Sequence, residues 1–231
     1  MKRFAVMLIS LLSGSLSWAQ YSTQPVEGVN YHVLGTQAPT VGPIEVVEFF
    51  GYFCPHCEAI EPHLQSWLQN KPADVDFKRV PATFNRPAVL MYAKTYYALQ
   101  QIGALEKMHG AIFNAIHKQR MKLDTQEKME AFLATQGVDV QAYKEAMDSF
   151  EVNLKLQQAI KLANKYAISG VPSLVVDKHY KDGDAGSWEE KLQIVDYLIE
   201  KSRAARAVPA AQPPAAMPAP PQAQPGGAAA Y

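Results

Sequence analysis

The chain has 231 residues, 48% hydrophobic and 19% charged, with 22 Lys and Arg against 22 Asp and Glu. That balance is globular and large enough for one sizeable domain or two small ones. A formal charge of zero argues against a nucleic-acid binder, and two cysteines are too few for a disulfide-stapled scaffold.

Residues 1–19 read as a secretory signal. Lys2 and Arg3 supply the positive start, Phe4 to Leu12 is mostly apolar, and Ser17-Trp18-Ala19 places small residues where a signal peptidase reads. Its removal leaves 20 basic against 22 acidic residues, a net charge of −2. The destination is outside the cytosol, where thiols can be oxidised. No later apolar run reaches the roughly 18 residues that a membrane-spanning helix needs.

Ile44-Glu45-Val46-Val47-Glu48-Phe49-Phe50 follows Gly42-Pro43 and reads as a central strand. Gly51-Tyr52-Phe53 turns the chain, and a helix is expected from Cys54, with Pro55 at a first-turn position where its missing N–H does no harm. Ile60, Leu64, Trp67 and Leu68 form its apolar face, and Pro62 is expected to kink it. Val75 to Val80 alternates as a second strand would. From Pro87 to Tyr166 the pattern turns purely helical. The predicted helices are Ala88 to Ile102, Ala104 to His117, one opened by a capping box of Asp124 and Glu127, one capped by Asp139, and Asn153 to Tyr166. Strand pattern returns at Pro172 to Val176, with a weaker one near the Asp182-Gly183-Asp184 turn. Ser187-Trp188-Glu189-Glu190 opens a helix to about Arg206. The order implies an α/β layer interrupted once by helices. Residues 207–231 hold seven of the 16 prolines, ten alanines and no charge, so this Pro/Ala-rich tail is expected to stay disordered, as an inert spacer.

Both cysteines lie in Cys54-Pro55-His56-Cys57. A thiolate is the reactive form, and the unpaired N–H groups and positive end of a helix lower a thiol's pKa. Cys54 sits where those groups gather, Cys57 lies one turn on and should be more buried, and His56 can add positive charge. Stabilising the reduced, ionised form makes the disulfide a stronger oxidant. A structural disulfide over so short a loop would stabilise little. A zinc site would borrow His56 or His63 but lacks a second cysteine pair. Redox chemistry is the reading left, with no metal and no organic cofactor.

Glu48-Phe49-Phe50-Gly51-Tyr52-Phe53-Cys54-Pro55-His56-Cys57 resembles the active-site segment of the DsbA family of periplasmic thiol:disulfide oxidoreductases, and Gly170-Val171-Pro172 is similar to that family's cis-proline loop. The resemblance covers roughly Tyr21 to Arg206. It implies a thioredoxin-like fold with an inserted all-helical subdomain: residues 20–86 and 167–206 would form the thioredoxin-like domain, and 87–166 the insert. Read from residues alone, a trans bond at a strand start is the commoner outcome for Val171-Pro172. The resemblance reverses this and implies a cis bond, with the Val171 backbone free to pair with extended substrate.

Glu48 has two readings, a strand-end carboxylate bonded to a neighbour such as Lys78, or, as the resemblance implies, a proton acceptor for Cys57. His32, His63, His109, His117 and His179 make no ligand spacing and read as surface or helix-face residues. Tyr52, Phe53, Met91, Tyr92, Tyr96 and Tyr97 read mostly as core, with a few able to line an apolar groove beside Cys54.

The expected function is a periplasmic dithiol oxidase. It donates the Cys54–Cys57 disulfide to unfolded or newly exported proteins with free thiols. The resemblance implies reoxidation by a quinone-linked membrane protein of the DsbB type. A monomer is expected, and Pro55-His56 between the cysteines, with no dimerisation domain ahead of the strand, favours the oxidase over an isomerase. The alternatives are an isomerase or reductase on the same fold, and a non-enzymatic exported binding module with a structural cystine.

Overall fold

The computed structural model describes residues 24–35, 40–84 and 86–207. The signal-like segment 1–19 and residues 208–231 of the Pro/Ala-rich tail lie outside the described residues.

A five-stranded sheet runs in the order β1-β5-β4-β2-β3. Its strands are β1 (Tyr31–Val33), β2 (Ile44–Phe50), β3 (Val75–Pro81), β4 (Ser173–Val176) and β5 (Tyr180–Asp182). β2 lies inside the sheet, parallel to β3 and antiparallel to β4. Apart from Glu45 and the buried Glu48, its residues are apolar on both faces, as a strand covered on both sides requires. One side of β2 contributes Ile44 and Val46 to a core shared with α1 (Pro55–Asn70) and α7 (Trp188–Ala207). The other side contributes Val47 and Phe49, packed on Tyr166. β1 has no counterpart in the sequence reading, because three residues carry too little pattern.

Between β3 and β4 lie α2 (Pro87–Gln101), α3 (Leu105–Phe113), a π-helical segment (Asn114–Lys118), α4 (Gln126–Thr135), α5 (Val140–Asp148) and α6 (Phe150–Lys165). They enclose a second core of Leu99, Met108, Ile112, Met129, Leu133 and Tyr143, which also takes in Phe50, Tyr52, Cys54 and Cys57. The cysteines therefore sit at the seam between the sheet and the helices. The α/β expectation with a helical insertion is met.

Three local expectations need correction. α4 is capped by Thr125, whose Oγ1 accepts from the Lys128 N–H at 3.4 Å, while Asp124 pairs with the Lys128 amine at 2.6 Å. α6 begins three residues before the expected Asn153, because Ser149 Oγ accepts from Val152 N at 3.2 Å and starts the helix. The stretch expected as one helix from Ala104 to His117 changes to π-helix at Asn114. Pro62 lies within α1 without ending it.

Candidate active site

β2 ends at Phe50 and the chain reverses through Gly51-Tyr52-Phe53, with the Cys54 N–H donating to the Gly51 carbonyl at 2.9 Å. A side chain at Gly51 would collide with the Phe53 ring, so only glycine fits beneath it. Cys54 is then the N-cap of α1, with φ −93° and ψ 118°, and makes no side-chain cap. Pro55 takes the first helical position and lacks the N–H that would go unpaired there.

The two sulfurs differ sharply. Cys54 is 7% exposed and Cys57 is fully buried, and both are free thiols. The Cys54 thiol is lowered to about 6. The hydrogen bond from Cys57 is the largest cause; burial opposes it, and the Cys57 and His56 N–H groups and the His56 charge assist. Cys57 is driven far above the ordinary thiol range by its bond to Cys54, by burial and by nearby negative charge, Glu48 included. A sulfur at about 6 is about nine-tenths thiolate at neutral pH, whereas an ordinary thiol is a few per cent ionised. His56 is exposed on the same turn, its ring 6.0 Å from that of Trp188.

The Val171–Pro172 bond is cis, as the resemblance implied. The Cys54 thiol donates to the Val171 carbonyl at 3.2 Å. This contact belongs to the protonated form of Cys54; the thiolate form leaves the Val171 carbonyl without it.

Glu48 is fully buried on β2, and its partner is Arg79, not Lys78. The parallel register sets Glu48 opposite Arg79 and Val47 opposite Lys78. A one-residue difference in register moves a side chain to the other face. Lys78 consequently pairs with Glu45 at 2.7 Å and Asp76 at 3.1 Å. Arg79 Nε approaches Glu48 Oε2 at 3.0 Å, but without the alignment of a hydrogen bond, so neither Glu48 oxygen has a hydrogen-bond partner. Burial pushes the Glu48 carboxyl up to about 8, against the pull of Arg79.

The guanidinium also reaches Glu61 Oε2 at 3.2 Å, and Glu61 Oε1 meets His109 Nε2 at 3.2 Å. Burial works against the Glu61 charge, but the His109 hydrogen bond and Arg79 hold it below the usual carboxylate value. His109 Nδ1 contacts the Tyr52 hydroxyl at 2.9 Å, and His117 Nε2 contacts the Tyr52 carbonyl at 2.8 Å. The reading of His109 and His117 as surface or helix-face residues is thus corrected. His109 is buried and His117 half-buried, and both bond to the active-site loop. Isolated histidines with no ligand spacing carried no sequence signal for this. A cleft of about 450 Å³ lined in part by Arg79, Tyr96, Gln100 and His109 opens behind this cluster.

Tyr52, Tyr92, Tyr96 and Tyr97 are buried, while Phe53 and Met91 are half-buried against the core that contains Cys54. Among the described residues, no helix is long and apolar enough to cross a membrane.

The description "DSBA-like thioredoxin domain" matches residues 45–193. The thiol:disulfide interchange protein DsbA of Burkholderia cepacia is 40% identical over 206 residues, covering 87% of this chain and 96% of that protein. The crystal structure of Pseudomonas aeruginosa DsbA superposes with a TM-score of 0.72 at 42% identity, covering 78% of this chain and 95% of that one. Oxidoreductase DsbA from Xylella fastidiosa gives 0.71 at 34%, over 78% and 98%. With the paired, unequal sulfurs at a helix entrance, these likenesses lead to one conclusion: the chain belongs to the DSBA-like thioredoxin domain family and is a thiol:disulfide oxidoreductase.

Proposed function

We propose that the protein works as a dithiol oxidase in the periplasm, donating a Cys54–Cys57 disulfide to newly exported proteins that carry free thiols. The observation that carries the direction is the inequality of the sulfurs, Cys54 lowered to about 6 and Cys57 held protonated and sealed. Stabilising the reduced form in this way favours release of the disulfide to a substrate.

A substrate thiolate attacks the Cys54 sulfur, the bond to Cys57 breaks, and its electron pair leaves on Cys57, which takes up a proton. A second substrate thiolate attacks the substrate sulfur of the mixed disulfide and expels Cys54 as a thiolate. Two electrons have passed from the substrate to the protein, and the substrate holds the new disulfide. In this reading Cys54 is the exchanging sulfur and Cys57 the resolving one, while His56 and Pro55 shape the helix entrance. Val171 and Pro172 border the site where extended substrate docks.

Glu48, at about 8, carries a proton at neutral pH and is the buried group suited to exchange it with Cys57. It makes no hydrogen bond to Cys57 in the reduced state, so transfer runs through a water or a rotamer change. The helices of 87–166 form an insert between the two halves of the thioredoxin-like domain, 20–86 and 167–206. Residues 1–19 direct export, the protein acts as a monomer, and a quinone-linked membrane protein of the DsbB type restores the disulfide.

The test is the reduction potential of the pair together with trapping. The expected potential is more oxidising than about −180 mV, the level of protein disulfide isomerase, and Cys57→Ala accumulates mixed disulfides at Cys54. A potential near that of thioredoxin, about −270 mV, would assign the protein to reduction instead.

A further inference from the structure

Tyr52 is held at both ends by the helices between β3 and β4. Its hydroxyl meets His109 Nδ1 at 2.9 Å and its carbonyl meets His117 Nε2 at 2.8 Å. A carbonyl only accepts, so His117 carries its proton on Nε2 and donates. The other His109 nitrogen faces the Glu61 carboxylate at 3.2 Å, so Nε2 donates there and Nδ1 accepts from the Tyr52 hydroxyl. The Tyr52 ring is buried between Phe50 and Phe113, with centroids at 5.3 and 5.1 Å.

Tyr52 also occupies a decisive place in the backbone. The Cys54 N–H to Gly51 carbonyl bond closes a β-turn with Tyr52 and Phe53 at its centre. The Tyr52 carbonyl belongs to the central peptide, whose orientation separates one turn type from another. Phe53 is not among the residues with positive φ, so the turn is not of the type that needs a left-handed third residue. The donor from His117 pins that peptide plane immediately before Cys54.

The supporting element is itself unusual. His117 lies in the π-helical segment Asn114–Lys118, whose wider turn re-aims its side chains relative to a continuous α-helix. The next residue, Lys118, pairs with Glu58 in the first turn of α1 at 3.0 Å. The segment thus contacts the chain on both sides of Cys54.

We propose that His117 and His109 are positioning residues for thiol:disulfide exchange, acting by clamping Tyr52 so that the turn aims Cys54 at the N–H groups of α1. The proposal rests on Cys54 being the exchanging sulfur. It assigns the helical insert a part in setting the nucleophile, beyond forming a wall of the site.

The experiment uses the full chain and three variants, His117→Leu, His117→Gln and Tyr52→Phe. Thiolate absorbance of the reduced protein against pH gives the Cys54 midpoint, and oxidation of a synthetic dithiol peptide gives the transfer rate. Circular dichroism reports the fold. His117→Leu is expected to raise the midpoint by about half a unit or more, about threefold in thiolate below the midpoint. His117→Gln keeps an N–H donor and is expected to restore most of the shift. Tyr52→Phe keeps the ring packing, loses only the His109 contact, and is expected to shift the midpoint in the same direction. It carries the test alone if His117→Leu does not fold.

Wild-type midpoints in His117→Leu and Tyr52→Phe would overturn the clamp. So would a glutamine variant displaced as far as the leucine one, because the donor would then be irrelevant. Cys54→Ser separates the failures: if transfer survives in it, the reading of the site falls and the clamp with it. If transfer is lost there while the clamp variants match wild type, the clamp alone falls.

Discussion

Replacing Glu48 with glutamine tests the electrostatics of the site through stability. The carboxyl moves from an ordinary 4.5 to about 8 in the folded protein, with burial as the largest cause and Arg79 opposing. Between those values the folded state holds a proton that the unfolded chain has released. Stability due to this group is therefore complete below about pH 4.5, falls as pH rises through the window, and levels off above about pH 8. At 1.4 kcal/mol per unit, keeping Glu48 protonated costs about 3 kcal/mol at neutral pH and almost nothing near pH 4. That is a large share of the roughly 5–15 kcal/mol typical of folded domains.

Glu48→Gln keeps the shape and stays neutral. Its amide brings donors into a position where neither carboxylate oxygen finds a hydrogen-bond partner, which costs about 1–3 kcal/mol at every pH. The informative quantity is consequently the change with pH, not the offset. Urea unfolding of reduced wild type and variant near pH 4 and near pH 7 measures it. The variant should gain about 3 kcal/mol on wild type between the two conditions. A gap that stays constant to within about 1 kcal/mol would refute the reasoning, because the buried carboxyl would then have an ordinary proton affinity.

Alkylation of the reduced protein by iodoacetamide should follow a single ionisation near 6, with Cys57 unmodified until the protein unfolds; equal labelling of both sulfurs would contradict the asymmetry. Lys191→Met should cost about 3–5 kcal/mol in urea unfolding at neutral pH. It strands Asp182, a buried carboxylate that pairs with Lys191 and accepts from Leu174 N at 2.7 Å. A loss under about 1 kcal/mol would mean that Asp182 is neutral without its partner. Arg79→Met should raise the Glu48 carboxyl further, so the fall in stability still begins near pH 4.5 but continues to a higher pH and is larger; an unchanged upper end would show that Arg79 exerts no pull.

The strongly patterned parts of the molecule were legible in the residues. β2 announced itself as an apolar run after Gly42-Pro43, and the Cys54–Cys57 spacing on a helix start pointed to redox chemistry. Pairing register was not legible. Lys78 and Arg79 are adjacent basic residues, and only the alignment of β2 on β3 decides which one shares a face with Glu48. The histidines were missed for a related reason. His109 and His117 lie more than fifty positions from Tyr52, and a single imidazole on a helix has no periodicity that distinguishes a packed hydrogen-bond donor from a solvated one. Cap positions shifted by one or a few residues because Asp, Thr and Ser all serve, and Thr125 and Asp124 compete for one helix end.

The contact between the Cys54 thiol and the Val171 carbonyl has a consequence for turnover. Only a sulfur bearing hydrogen can make it. In the disulfide form that hydrogen is gone, and the acceptor beside Pro172 stands open to the main chain of an arriving polypeptide. Once electrons have been received, only the protonated minority of Cys54 covers that acceptor, while the thiolate that prevails at neutral pH leaves it open. The acceptor is thus closed by protonation of the same atom that carries out the exchange, and acidification below about pH 6 would set the reduced protein against an arriving chain.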